Sequence, residues 1–301
     1  MKLHLECIPC YMRQALEAIR MVTDDTKVQE EILRKCLVAA SQFDTDHIGM
    51  FTHRRIHTII KEFAPRADPY REIKGRFNAM CLDMVDEVRR TISKSRNPFE
   101  TSLRIALAGN IIDFGPGAEL NEEVIRRALK QALAQKLDGD EVRTLQDTIF
   151  NGNRILYIGD NAGEIVFDKL FIEQLPTEKI TYVVRGGPTL NDSTMEDARM
   201  VGMDRVVRVI TTGVDMPGAA LPFCSEDFLD EYERADFVIA KGQGNYEALS
   251  DEKKNIFFLL KMKCPIIARD FDDRFKVGDI VVLSTSGLHD DRTERQDQRI
   301  Q

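Results

Sequence analysis

The sequence predicts an α/β protein in two parts: an all-helical domain over residues 1–150 and, over 151–290, an α/β domain with a mostly parallel sheet. Two observations carry this. The first half is a succession of amphipathic helical stripes with no convincing β alternation. From Arg154 onward, short apolar runs recur at roughly the spacing of a strand plus a returning helix, which means parallel strands with helices on the sheet's faces. Residues 291–301 are a polar tail predicted to fray.

In the first half, helices are expected over Tyr11–Val22, Thr26–Gln42, His47–Phe63, Tyr70–Ser93, Phe99–Phe114 and Asn121–Lys136, with a short segment after Asp140. Pro65, Pro69, Pro98 and Pro116 fall between them, where a missing N–H does least harm. In the second half, strands are expected at Ile155–Ile158, Ile180–Val184, Val206–Ile210, Phe237–Ala240, Pro265–Ala268 and Ile280–Leu283. The last two runs are too close for a long intervening helix, so the final strand is expected to run antiparallel.

The stretch RILYIGDNAGEIVFD, Arg154–Asp168, anchors the chemistry. A buried-strand run stops at Gly159-Asp160-Asn161-Ala162-Gly163-Glu164, and helical spacing resumes at Ile165. Such a turn sets strand-end side chains beside the N–H groups of a helix start, which attract anions. Asp160 and Glu164 are themselves anionic, so if a phosphate also sits there something must neutralise the pair, and a divalent cation does this most economically.

The other strand ends are equally polar: Arg185-Gly186-Gly187-Pro188 with Asn191-Asp192, then Thr211-Thr212-Gly213, Lys241-Gly242-Gln243-Gly244-Asn245-Tyr246-Glu247, and Arg269-Asp270 with Asp272 and Asp273. Ligands of open parallel sheets bind beyond these carboxyl ends. Asp160, Asn161 and Asp192 are oxygen donors suited to Mg²⁺ or Mn²⁺. Singly, each is more ordinarily a helix cap or a turn former; together on adjacent turns they point to a cation. Lys241, flanked by glycines, is a phosphate-clamp candidate, against the plain alternative of a solvated lysine. GQGNYE lacks the third glycine of a dinucleotide fingerprint. Asn110 and Asp113 share a helical face and need partners if buried. Cys7-Ile8-Pro9-Cys10 is a lone CxxC with only His4 near; a redox or partial metal role competes with plain helix-start cysteines.

Composition narrows the classes. Among 301 residues, 42 are basic and 50 acidic, a net charge of -8, so the overall field does not steer the chain onto nucleic acid or anionic membrane. No apolar run reaches transmembrane length and no signal-peptide core is visible, so a cytoplasmic location is expected. Six cysteines in 301 residues are too sparse for a disulfide scaffold.

CIPC, AGNIIDFG, GDNAGE, RGGPTLND and KGQGNYE, in this order over nearly the whole chain, resemble the metal-dependent damage-control phosphatase family, formerly a domain of unknown function. The CxxC is similar to that of the subfamily linked to sugar-phosphate or nucleotide-type substrates. The resemblance implies a helical domain packed on a three-layer α/β/α domain. It also implies one divalent cation (Mn²⁺, Mg²⁺, Co²⁺ or Ni²⁺) on Asp160, Asn161 and Asp192, and hydrolysis of phosphomonoesters of small, sometimes damaged, metabolites. Lys241, Asn245 and Glu247 match the family's KG-x-x-N-x-E segment. Arg185, Asn110 and Asp113 are further candidates for substrate contact, and Glu164 or Asp192 for orienting the attacking water.

Three rival readings follow from the same residues. An aspartyl-phosphate enzyme would use Asp160 as nucleophile but normally has a second Asp where Ala162 stands. A nucleotide- or S-adenosylmethionine-binding transferase would want more glycine in the first turn. A non-catalytic CxxC module would rest on Cys7 and Cys10 alone.

Overall fold

A computed structural model describes residues 3–44, 49–63, 68–109, 121–269, 271 and 274–287. The expected architecture is present: an N-terminal helical bundle and a C-terminal α/β/α domain whose sheet is mostly parallel. The helices of the first half are α1 (Cys7–Val22), α2 (Thr26–Ala40), α3 (Met50–Phe63), α4 (Arg71–Asp83), α5 (Val85–Lys94), α6 (Pro98–Ala108), α7 (Glu122–Ala134) and α8 (Gly139–Asn151). Side-chain caps start several of them. Asp25, Asn97, Asn121 and Asp138 accept from first-turn N–H groups of α2, α6, α7 and α8, and Pro98 occupies the first position of α6.

Two expectations are corrected here. The single helix over Tyr70–Ser93 is two, α4 and α5, separated at the buried Met84, with neither proline nor glycine at the break. The short segment after Asp140 is the thirteen-residue α8.

The α/β domain runs β1 (Ile155–Ile158), α9 (Glu164–Ile172), β2 (Ile180–Val184), α10 (Met195–Val201), β3 (Arg208–Thr211), α11 (Glu226–Arg234), β4 (Phe237–Lys241), α12 (Gly242–Leu249), β5 (Ile256–Lys261), α13 (Pro265–Arg269) and β6 (Ile280–Ser284). Sheet order is β3-β2-β1-β4-β5-β6. The first four contacts are parallel, and β6 lies antiparallel on β5, pairing Ile280 with Lys261 and Ser284 with Phe257. The run Pro265–Ala268, expected as a strand, is instead the helix α13 with proline at its first position. The fifth strand is Ile256–Lys261, which a spacing argument passes over because the eight-residue α12 makes that crossover unusually short.

Alternation along each strand divides two cores. Ile155, Tyr157, Tyr182, Val184, Phe237, Ile239, Phe257 and Leu259 pack beneath helices of the first half together with α9 and α10. Leu156, Ile158, Val183, Val238, Ala240, Phe258 and Leu260 pack against α11, α12 and α13. Each such large apolar side chain contributes about 1.5–3 kcal/mol of burial. The helices α1–α3 hold a small core of their own, including Ala15, Ile19, Ile32, Cys36, Ile56 and Ile60. That trio reaches the loop after β3: Lys61 Nζ donates to Asp215 Oδ2 at 2.5 Å, and Phe51 and Arg54 both pack on Phe223.

Strand order reverses direction at β1 and β4, and beyond their carboxyl ends lies the crevice such a sheet offers to ligands.

Candidate active site

Backbone pairing continues past the ends of β1 and β2 and draws their turns together. Ser193 N donates to Asp160 O at 2.7 Å, Ala162 N donates to Asn191 O at 2.9 Å, and Asn161 and Asp192 sit opposite each other as an isolated antiparallel bridge. The three residues expected to share a cation are therefore neighbours. Leu190, just before them, has φ 44°, the one positive φ of a non-glycine among the described residues; such strain persists only where surrounding structure enforces it. The end of β4 approaches from the other side. Gly242 has φ 77°, and a Cβ there would collide with the Asp160 carboxylate, so glycine is what lets β4 close onto the turn.

Asn161 Nδ2 donates to Asp160 Oδ2 at 2.8 Å and to Glu164 Oε2 at 3.1 Å. With the nitrogen facing two acids, the carbonyl oxygen is the amide atom offered to a cation. Arg185, 1% exposed, donates from Nε to Asp192 Oδ2 at 2.6 Å and holds Nη2 3.5 Å from Asp160 Oδ1. Both of its Nη atoms are buried with no hydrogen-bond partner.

Lys241 differs from its expected placement. Its fully buried ammonium donates to Glu164 Oε1 at 2.6 Å, Asp168 Oδ1 at 2.5 Å and Ala106 O at 2.9 Å. All three N–H groups are engaged by the protein, so the lysine braces the crevice from behind and does not reach into it. Burial acts to lower its pKa, but Asp168 and Glu164 outweigh that and hold it up at about 12. Asp168 also accepts from Tyr157 OH and Tyr182 OH, both at 2.9 Å. Asp168, Tyr157 and Tyr182 have no place in the site expected from sequence. Their one sequence sign is an acid that follows the apolar Ile165-Val166-Phe167 in α9, since a buried carboxylate demands partners.

A charge count follows from these contacts. Four carboxyl groups (Asp160, Glu164, Asp168, Asp192) face two buried cations (Arg185, Lys241), so acids outnumber cations in the buried network. Burial, then the charges of Asp192 and Glu164, push the Asp160 carboxyl up to about 8. Burial likewise raises Asp168 to about 6 despite Lys241, and raises Asp192 despite Arg185. The exposed Lys263 reaches Asp160 with only a small opposing effect. An oxygen-rich cluster that takes up protons near neutral pH has the donor chemistry of a hard divalent cation site. Among the described residues no three His, Cys, Asp or Glu side chains are disposed as a metal cage; the set expected from sequence has two acids and an amide.

The remaining expected residues divide. Asn245 Nδ2 donates to Gly159 O at 3.2 Å and Lys241 O at 2.6 Å, fastening α12 to the end of β1, while its buried Oδ1 has no partner. Glu247 accepts from Gln243 Nε2 at 2.8 Å, one turn further from the acids. The helix start after Asn161 is less open to anions than expected: Ala162, Gly163 and Ile165 N–H groups donate to Asn191 O, Asn78 Oδ1 and Asn161 O. Arg269 is exposed at the end of α13. Asn110, Asp113, Asp270, Asp272 and Asp273 lie outside the described residues. Cys7 and Cys10 are free half-buried thiols in the first turn of α1, where burial raises both pKa values and the charges of Glu247 and Cys264 add to it.

The chain is 32% identical to damage-control phosphatase PH1575 of Pyrococcus horikoshii over 275 residues, covering 90% of this chain and 94% of that protein. It is also 32% identical to a damage-control phosphatase of Archaeoglobus fulgidus over 291 residues, covering 93% and 98%. The crystal structure of the Pyrococcus protein, described as a DUF89 family protein, superposes with a TM-score of 0.84 at 30% identity, covering 95% of this chain and 99% of that one. Residues 3–276 match the model of the damage-control phosphatase ARMT1-like domain, and the chain belongs to that family.

Proposed function

We propose that this protein hydrolyses phosphomonoesters of small metabolites, sugar phosphates or nucleotide-type compounds, with one divalent cation held by Asp160, Asn161 and Asp192. The observation that carries the proposal is the crevice at the carboxyl ends of β1, β2 and β4, where buried carboxyl groups outnumber cations beside a guanidinium whose two Nη atoms make no hydrogen bond. An acid-rich cluster of oxygen donors suits one divalent ion, and the Nη atoms of Arg185 match phosphoryl oxygens. Family membership supports the same reaction class.

In this reading the cation, when bound, supplies Lewis acidity at the phosphoryl group. Arg185 receives phosphoryl oxygens while its Nε stays on Asp192. Glu164 has one oxygen on Lys241 and the other on Asn161, which favours Asp192 over it for orienting the attacking water. Lys241 holds the Glu164 and Asp168 side chains in place, so the crevice does not reorganise as charge develops. Substrate selection would fall to α1–α3 and the loops after β2 and β3, which roof this end of the sheet. A cytoplasmic location accords with this use; no helix among the described residues is long and apolar enough to cross a membrane.

The test is phosphate release from a panel of phosphorylated metabolites by chelator-stripped protein, reloaded in turn with Mg²⁺, Mn²⁺, Co²⁺ and Ni²⁺. Turnover is expected with at least one cation and is expected to vanish in Asp160→Ala with the fold intact. Full activity without any divalent cation, or in Asp160→Ala, would contradict the proposal.

A further inference from the structure

The helical region does more than roof the crevice, and the point of contact is a single amide. Asn78 lies on α4 with no exposed surface. Its Oδ1 accepts from Gly163 N at 2.6 Å, and its Nδ2 donates to Asp197 Oδ1 at 2.8 Å. Gly163 stands two residues after Asn161, in the turn that follows β1. Asp197 closes the capping box of α10, its Oδ2 accepting from Thr194 N at 2.9 Å and from Thr194 Oγ1 at 2.8 Å, two residues after Asp192. One side chain from outside the sheet thus holds both of the turns that carry Asp160, Asn161 and Asp192.

The neighbours of Asn78 make the hold specific. Phe77, the preceding residue of α4, packs so closely on Gly163 that a Cβ there would collide with its ring, and Gly163 has φ 74°. Lys74, one turn back, lies 3.4 Å from Asp197 Oδ2 and 2.9 Å from Asp68 Oδ2, so the acid that Asn78 grips is itself anchored to α4. A carboxamide is the group that can accept from a backbone N–H and donate to a carboxylate at once. Aspartate would set like charges face to face, and leucine would serve neither partner.

We propose that Asn78 is a positioning residue for the cation site, the strap by which α4 sets the separation and angle of the two ligand-bearing turns. The inference rests on the reading that Asp160, Asn161 and Asp192 hold a divalent cation. It extends that reading to a residue more than eighty positions away in the chain, which hydrogen-bonds to Gly163 and Asp197 and to none of the three. Residues that orient ligands from behind typically change metal affinity by roughly 10–100-fold when removed.

The experiment measures Mn²⁺ affinity by electron paramagnetic resonance of the free ion, on the full-length chain, for wild type, Asn78→Ala and Asn78→Leu, with urea unfolding of the metal-free proteins alongside. Leucine retains the volume and removes both hydrogen bonds. Both variants are expected to weaken Mn²⁺ binding by about 10–100-fold. Should either fail to fold, Asn78→Ser, which reaches at most one partner, is measured in its place and is expected to fall between. A merely structural role would lower unfolding midpoints and leave the Mn²⁺ affinity of the folded variants at the wild-type value, and that result overturns the inference. Wild type that binds no Mn²⁺ defeats the cation reading itself, and the inference with it. Wild type that binds alongside variants that bind equally well defeats the inference alone.

Discussion

Arg185 and Lys241 invite comparison because the sequence presents them alike: each is a cation at the carboxyl end of a buried strand, followed by glycine. Each is at most 1% exposed and each meets two carboxylates. They differ in what is left over. Every N–H of the Lys241 ammonium has an acceptor inside the protein, whereas neither Nη atom of Arg185 makes a hydrogen bond and Nη2 has only the 3.5 Å ion pair with Asp160. A buried donor left without an acceptor is costly, and a fold tolerates it where a ligand completes the set. By that criterion Lys241 is scaffold and Arg185 is the residue we propose to meet the substrate.

The comparison breaks first at Lys241. Replacing it with methionine leaves Glu164 and Asp168 buried without their cation, a loss of about 3–5 kcal/mol for one partner removed from a buried pair. Urea unfolding of Lys241→Met should show it, and a variant within error of wild type would mean the network is not what braces the crevice.

Arg185→Lys should do the reverse. It keeps the charge beside Asp160 and Asp192 but loses the fork, so stability is expected to change little while kcat/KM falls about 10²–10³-fold, the usual cost of a lost transition-state donor. Equal phosphatase kinetics in the two proteins would remove Arg185 from the chemistry.

The remaining effect is the dependence of stability on pH. In the cation-free protein the Asp160 carboxyl sits at about 8 and Asp168 at about 6, both above the unfolded value of roughly 4. The folded state therefore binds protons that the unfolded state has released. Stability from these groups is complete below about pH 4 and declines as pH rises, through about 6 for Asp168 and about 8 for Asp160. Lys241, raised to about 12, acts only at the alkaline end. Saturating Mn²⁺ should flatten the decline between pH 4 and 8, because the cation replaces the protons. A metal-free protein that gains stability over that range would show the carboxylates to be paired otherwise.

Much of the site is legible in the amino-acid sequence. The turn after β1 stands out because an apolar strand run breaks at a glycine into acids and an amide, and the polar ends of the neighbouring strands agree with it. Strand β5 escapes the same reading because α12 is only eight residues long, which upsets a spacing argument built on longer crossovers. The position of Lys241 is visible in sequence and its direction is not. Whether a strand-end side chain turns into the core or the crevice depends on α6 and α9, which supply Ala106, Glu164 and Asp168. Asn78 leaves no local sign, since its partners Gly163 and Asp197 are brought to it only by the docking of α4 on the sheet. Local pattern reports what a residue is next to in sequence, and this site is completed by residues far apart in the chain.

The central claim is that the acid-rich crevice is completed by one divalent ion, which displaces protons its buried carboxyl groups hold near neutral pH. Calorimetric titration of Mn²⁺ into metal-free protein at pH 7, in buffers of different ionisation enthalpy, tests it most directly. The account predicts one site per chain, proton release on binding, and loss of both in Asp160→Ala; a protein that binds no Mn²⁺, or binds it without releasing protons and equally well after Asp160→Ala, would contradict it.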